Sequence, residues 1–123
     1  MSSAEISYQE FQKLDLRTGT IVMVERVPRT EKLYKIEVDL GSLGTKQTVA
    51  GLAPYYEEEE LKGKKVVFLA NLKPIKLAGE SSQGMLLAAE HDGKVSLLSL
   101  DREVSNGSTI RLSRYMTSLD EHG

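Results

Sequence analysis

Thr18-Gly19-Thr20-Ile21-Val22-Met23-Val24-Glu25-Arg26-Val27 is the stretch that decides the fold, because it is rich in the β-branched residues that favour strands. It predicts one long, curved strand with Gly19 as the site of a bend or bulge. In residues 33–40 polar and apolar side chains alternate, which places one face of a second strand in the core and the other in water. Gly41 and Gly44 then mark a turn into a third strand over residues 46–51.

A short helix is predicted after the third strand. Pro54 lies near its start, the four acids of residues 57–60 occupy the turns where the helix dipole favours negative charge, and Gly63 ends it. The acidic block therefore has an ordinary structural explanation, with metal or partner binding as the alternative. Residues 65–70, Lys-Val-Val-Phe-Leu-Ala, predict a buried fourth strand.

Shorter elements complete the chain. Residues 85–90 and 94–100 predict two strands joined by a His91-Asp92-Gly93 turn, and residues 109–112 predict a last short strand. At the other end, Ser7-Tyr8-Gln9-Glu10 is a capping box, which predicts a helix from about Tyr8 to Leu14.

The order strand, strand, strand, helix, strand, strand is typical of an OB-fold, a mainly β five-stranded Greek-key barrel with its helix between strands 3 and 4. A short N-terminal helix precedes the barrel. An SH3-like barrel or a ferredoxin-like sheet would need either no internal helix or a second long one. The length of 123 residues predicts a single domain over residues 1–123, with a core over about residues 6–112.

Composition excludes several classes of protein. Hydrophobic residues at 40% and charged residues at 28% argue against a disordered chain, and no apolar stretch is long enough to cross a membrane. No cysteine is present, which excludes disulfides, thiolate metal sites and thiol nucleophiles. The N-terminus has no pattern of a secretory signal, so we expect a cytoplasmic protein.

No catalytic constellation is visible. His91 and His122 stand apart from any serine or carboxylate pattern that would make a nucleophile and base, and no glycine-rich phosphate loop occurs. We expect no enzyme activity, no cofactor and no metal site. The net charge of -2 argues against a nucleic-acid binder, but residues 61–79 carry five lysines and no acid.

The segment over residues 71–90 has more polar and special residues than a plain connector needs. Asn71 directly follows an apolar run, Lys73 and Lys76 flank Pro74, and Ser82-Gln83-Gly84-Met85 brings a hydroxyl, an amide and a thioether together. Such a set suits a site that grips a sugar-phosphate backbone and lays a base against an apolar surface. From the residues alone, a polar loop with a core methionine explains the pattern equally well.

Ala70-Asn71-Leu72-Lys73-Pro74, followed by Ser82-Gln83-Gly84-Met85-Leu86-Leu87-Ala88-Ala89, resembles the signature of the structure-specific tRNA-binding domain family. The resemblance implies an OB-fold that forms a homodimer and recognises the shape of tRNA with little dependence on base sequence. It also implies a helper role for a methionyl-tRNA synthetase catalytic chain. The tRNA-binding residues that it implies are Asn71, Lys73, Lys76, Ser82 and Met85, to which Lys32 and Lys46 are added as basic residues in strand-flanking segments.

The sequence departs from the family pattern at two places. Val27-Pro28-Arg29-Thr30 stands where the family often has His-Pro-Asn-Ala, which moves positive charge to Arg29, and Ile75 stands where a second basic residue often follows the proline. A similar family, the CsaA-type export chaperones that hold unfolded polypeptide, provides the competing hypothesis. A third hypothesis is a purely structural domain that tethers synthetase complexes through the tail over residues 114–123.

Overall fold

The computed structural model describes residues 4–113, so the tail over residues 114–123 and His122 lie outside the described residues. Two short helices and a 3₁₀ turn accompany nine strands within this range. The helices are α1 (Tyr8–Gln12) and α2 (Glu58–Leu61), and the 3₁₀ turn is Gly41–Leu43. The strands are β1 (Leu16–Arg26), β2 (Tyr34–Asp39), β3 (Thr45–Ala50), β4 (Lys65–Leu69), β5 (Ile75–Leu77), β6 (Glu80–Ser82), β7 (Met85–Leu86), β8 (Ala88–His91) and β9 (Lys94–Leu97).

Five antiparallel strands in the order β3-β2-β1-β4-β7 form a nearly closed barrel, which confirms the predicted OB-like, mainly β fold. The long strand β1 serves two neighbours because Leu16–Thr20 pairs with β4 whereas Thr20–Arg26 pairs with β2. Strand β2 alternates buried and half-buried residues along its whole length, as its period of two predicted.

The core lies inside this barrel and is closed at one end by α2. Leu61, the last residue of α2, is fully buried together with Ile21, Ile36 and Phe68 from the barrel strands. The acidic residues that precede Leu61 form the exposed part of the helix, and Glu57 and Glu60 make a capping box at its start. The predicted helix at the acidic block is thereby confirmed, although α2 has one turn only.

Several predicted elements differ in detail. Residues 85–90 were expected to form one strand, but the chain changes partners at Leu87, whose N–H donates to Val67 O (3.1 Å) and whose carbonyl accepts from Leu98 N (3.0 Å). Strand β7 therefore pairs with β4, and β8 pairs with β9 through the turn at Asp92-Gly93. The expected last strand over residues 109–112 is reduced to a single bridge between Arg17 and Thr109.

Gly19 was predicted as the site of a bend or bulge, and the structure has no bulge there. Its pairing with Val66 is regular, and the shift in register lies between Ile21 and Met23. The glycine is instead required by close packing, since a Cβ there would stand 2.5 Å from Val38 Cγ1 and 3.0 Å from the carbonyl oxygen of Asp39.

We predict that Gly19→Ala lowers the free energy of unfolding by about 1–3 kcal/mol, because an added methyl overpacks the contact with Val38. Gly51→Ala is the matched control, since a Cβ at Gly51 meets nothing within 4 Å and its backbone is outside the left-handed region. Denaturant titration of both variants measures the difference. Equal stability of the two variants would contradict the packing role of Gly19.

Candidate nucleic-acid interface

A β-hairpin occupies the segment that sequence patterns assigned to an irregular connector. Strand β5 pairs with β6 in the register Ile75↔Ser82, Lys76↔Ser81 and Leu77↔Glu80. Ala78 and Gly79 both have positive φ, 51° and 82°, which is the conformation of a two-residue type I′ hairpin turn. All three residues of β5 are exposed, with Ile75 and Leu77 on one face of the strand and Lys76 on the other.

Hydrogen bonds to Gln47 of β3 hold this hairpin against the barrel. Gln83 N donates to Gln47 O (2.8 Å), and Gln47 N donates to Gln83 Oε1 (2.9 Å). The Gln47 side chain adds a third bond, from Nε2 to the carbonyl oxygen of Ser81 (2.7 Å). The two glutamines therefore replace the strand ladder that would otherwise close the barrel between β3 and β7.

Ser82 lies inside this closure. Its side chain is 2% exposed, and its hydroxyl accepts from Val49 N (3.2 Å) and lies 3.0 Å from Thr48 Oγ1. The Thr48 hydroxyl in turn donates to the carbonyl oxygen of Gly84 (2.7 Å). Ser82 therefore positions the chain, and its hydroxyl is already engaged within the protein.

Met85 and Asn71 also have partners inside the fold. Met85 is half-buried, with its sulfur 3.6 Å from Thr48 Oγ1. The Asn71 amide oxygen accepts from Asp15 N (2.9 Å), and its Nδ2 donates to Lys13 O (2.6 Å). Asn71 thus joins the start of the connector between β4 and β7 to the link between α1 and β1. These bonds satisfy the hydrogen-bonding groups of an amide that directly follows a buried strand.

The lysines of the candidate site differ from Lys35 and Lys65 in having no partner among the described residues. Lys35 makes ion pairs with Glu25 (3.3 Å) and Glu80 (3.8 Å), and Lys65 donates to Asn106 Oδ1 (2.8 Å). Within residues 4–113, no ion pair or side-chain hydrogen bond engages the four lysines of the candidate site. They are Lys32, Lys46, Lys73 and Lys76, of which Lys46 is half-buried and the others are exposed.

The structure brings some of these residues together and separates others. Lys73 and Lys76 lie on the same connector, and Lys46 lines a shallow depression with Gln83, the residue that anchors this connector. Lys32 lies at the other end of β3, where its carbonyl oxygen accepts from Ala53 N (3.1 Å). The basic residues therefore extend along β3 rather than converging on one point.

Electrostatic effects near the interface are modest. The hydrogen bond to Glu25, together with the charges of Glu80 and Glu25, raises the pKa of Lys35 above its ordinary value. The Lys35 ammonium therefore stays protonated, and the two carboxylates balance its charge. Burial, and secondarily the carboxylate of Glu57, raises the pKa of Tyr34, whose hydroxyl donates to Tyr56 O (2.8 Å). Neither group is therefore prepared for acid–base chemistry near neutral pH.

Residues 4–113 contain neither a metal-binding cluster nor a membrane-spanning helix. No group of three or more His, Asp or Glu side chains there is arranged to hold a metal ion. No helix in the same range has the length and apolar character that a membrane span requires.

An OB-like barrel with unpaired lysines on the connector before its last strand belongs to the class of small binding modules. Residues 16–109 match the family model described as "Putative tRNA binding domain", and the chain belongs to that family.

Relatives and solved structures agree with this assignment. The chain is 56% identical over 110 residues to a methionine–tRNA ligase of Methanococcus maripaludis, covering 89% of this chain but 16% of that ligase. The structure is similar to a MetRS-related protein from Pyrococcus horikoshii, with a TM-score of 0.82, 39% identity, and coverage of 88% of this chain and 99% of the other. It is also similar to the chaperone CsaA from Bacillus anthracis, with a TM-score of 0.78, 34% identity, and coverage of 87% and 99%.

The hairpin and the glutamine pair were missed by sequence reasoning. The sequence patterns assigned no strand to residues 71–84, although Ala78-Gly79 between two three-residue runs is compatible with a tight hairpin turn. The sequence indicated Gln83 as an amide suited to binding, but it gave no signal of the pairing with Gln47, because their partnership spans 36 residues of sequence.

We predict that Ser82→Ala lowers the free energy of unfolding by about 1–3 kcal/mol, because it leaves the buried Val49 N–H without its acceptor. Ser81→Ala is the matched control, because Ser81 is exposed and contributes its backbone carbonyl to Gln47. Thermal unfolding followed by circular dichroism compares the two. A loss of the same size in both variants would show that the Ser82 hydroxyl does not stabilise the closure.

Proposed function

We propose that this chain is a non-catalytic tRNA-binding module that recognises the shape of tRNA. The observation that carries the proposal is the set of unpaired lysines on a connector that is itself held firmly against the barrel. Cations that have no internal partner are free to neutralise phosphates, and a fixed backbone reduces the entropy lost on binding. Membership of the tRNA binding domain family supplies the class of nucleic acid.

The proposed site assigns a role to each of its seven residues. Lys32, Lys46, Lys73 and Lys76 contact phosphates, which gives affinity without base specificity. The half-buried Met85 offers an apolar surface to a ribose or base, and Asn71 and Ser82 act by fixing the connector that carries Lys73 and Lys76.

The relatives support a proposal for the biological setting. The chain spans 16% of the Methanococcus maripaludis ligase, so ligase activity is not carried over to it. We propose that it works in the cytoplasm and raises the tRNA affinity of a methionyl-tRNA synthetase catalytic chain, in cis or in trans. A covalent link or a shared complex would raise the effective concentration of tRNA at the catalytic chain.

A second candidate function is binding of unfolded polypeptide. The similarity to the CsaA chaperone of Bacillus anthracis favours it, and so do the exposed apolar side chains of Leu72, Ile75 and Leu77 on the connector. These side chains would contact apolar segments, whereas tRNA binding depends on the lysines beside them.

A titration with mixed tRNA, an unstructured RNA of equal length and an unfolded polypeptide, repeated at several salt concentrations, separates the candidates. We expect tRNA to bind more tightly than unstructured RNA, with affinity that falls as salt rises.

Lys73→Ala and Lys76→Ala should each weaken binding to all tRNAs alike, and each should reduce the slope of log affinity against log salt by about 1. Lys62→Ala, which removes an exposed lysine just after α2, is the control. Equal binding of both RNAs contradicts shape recognition, and preference for polypeptide favours the chaperone function.

We also propose that the chain forms a homodimer through the groove between α1 and residues 109–112. The groove is lined by the apolar side chains of Phe11, Leu14, Ile110 and Leu112 and by the polar residues Gln12, Thr109 and Arg111, with Tyr8 beside them. Leu14 is 45% exposed. Apolar surface that a monomer leaves in water is stabilised when a second copy covers it.

Leu14→Asp should therefore shift the protein toward monomer in sedimentation velocity at several concentrations, because it places a charge in the proposed interface. Leu98→Asp is the control, because Leu98 is exposed to a similar extent (39%) away from this groove. A wild-type chain that is monomeric at every concentration would refute the dimer.

A further inference from the structure

The loop between β1 and β2, residues 27–33, contains a backbone conformation that its sequence does not favour. Val27-Pro28-Arg29-Thr30 forms a turn closed by Thr30 N donating to Val27 O (3.2 Å), with a second bond from the Thr30 hydroxyl to the same oxygen (2.8 Å). Arg29 has a φ of 66°. Proline at the second position and positive φ at the third is the pattern of a type II turn, which favours Gly or Asn at that third position.

No contact of the Arg29 side chain within the described residues accounts for its positive φ, although the two bonds to Val27 O close the turn. The neighbouring arginines have partners, because Arg26 donates to Glu31 O (3.2 Å) and Arg17 pairs with Asp15 (2.6 Å). The Arg29 side chain is exposed and has neither an ion pair nor a hydrogen bond within residues 4–113. Backbone strain that contributes nothing to packing or hydrogen bonding in the fold is found most often at binding or catalytic sites.

The β1–β2 loop lies at the same end of the barrel as the turn of the β5–β6 hairpin. Gln83 bonds to Gln47, and Ser82 bonds to Val49, so the hairpin chain runs antiparallel to β3. Glu80, at the start of β6, then reaches Lys35, the second residue of β2. The Ala78-Gly79 turn therefore points toward the start of β2, where the loop ends.

We infer that Arg29 is a phosphate-contacting residue of the RNA interface, and that its strained turn is tolerated because it presents the guanidinium there. The inference rests on the proposed tRNA-binding function. A guanidinium offers planar, two-pronged hydrogen bonding to phosphate oxygens and is always charged. Lys32 on the same loop and Lys76 on the hairpin would then contact the backbone on either side of Arg29.

Three substitutions at Arg29 separate charge from strain. Arg29→Asn suits positive φ, so it should raise the melting temperature by about 2–5 °C. It also removes the charge, so it should weaken tRNA binding roughly 5–10-fold and lower the slope of log affinity against log salt by about 1. Arg29→Gln removes the charge but keeps the strain, so it should lose the same affinity without gaining stability. Arg29→Lys keeps both, so it should retain the wild-type salt slope and melting temperature.

Arg102→Asn is the charge-matched control, because Arg102 is highly exposed and lies outside the loop and the hairpin. Wild type and the four variants are titrated with mixed tRNA at several salt concentrations, and their melting temperatures are recorded. If wild type binds tRNA and Arg29→Asn binds it as tightly as Arg102→Asn does, the inference is overturned and the proposed function stands. Wild type without salt-dependent tRNA binding overturns both. A loss of affinity in Arg29→Asn without a gain in melting temperature refutes the claim that strain is tolerated for binding.

Discussion

The hydrogen-bond closure between β3 and residues 82–84 is the interaction on which the rest of the structure depends. An open sheet edge exposes unpaired N–H and C=O groups, and a barrel is stable when its last edge is satisfied. Here the side chains of Thr48, Ser82, Gln47 and Gln83 make the hydrogen bonds that regular strand pairing would make at this edge. The same bonds hold the β5–β6 hairpin in place. Barrel stability and the geometry of the candidate interface therefore have one physical origin.

Net charge is a poor guide to what this surface can bind. The chain has a formal charge of -2, yet its cations fall into two groups with different roles. Lys35 and Lys65 are engaged by carboxylates or by Asn106 and contribute to the fold, whereas Lys73 and Lys76 are exposed and have no partner within residues 4–113. Local excess of unpaired charge, rather than the sum over the chain, sets the attraction for phosphates.

Predictions from the sequence succeeded where the signal was local. The alternation in β2, the capping box of Ser7 and Glu10, and the Asp92-Gly93 turn each depend on residues within a few positions, so the patterns are visible in the chain itself. The prediction of a bulge at Gly19 failed because a glycine in a strand has the same sequence signature whether it allows a bulge or a close contact. The closeness of Val38 distinguishes the two, and that distance exists only after β2 has paired with β1.

The sequence by itself determined the element order, the mainly β barrel and the composition of the connector, because hydrophobic period and turn chemistry are short-range properties. Tertiary structure decided which polar groups are used inside the fold and which remain free. Ser82 is buried by Thr48 and Val49, and Asn71 is engaged by Lys13 and Asp15, through partners more than 30 residues away. A hydroxyl or amide has the same appearance in a sequence whether its partner is the protein or a ligand. Only the packed barrel shows that these two side chains face the protein and that the lysines beside them have no partner among the described residues.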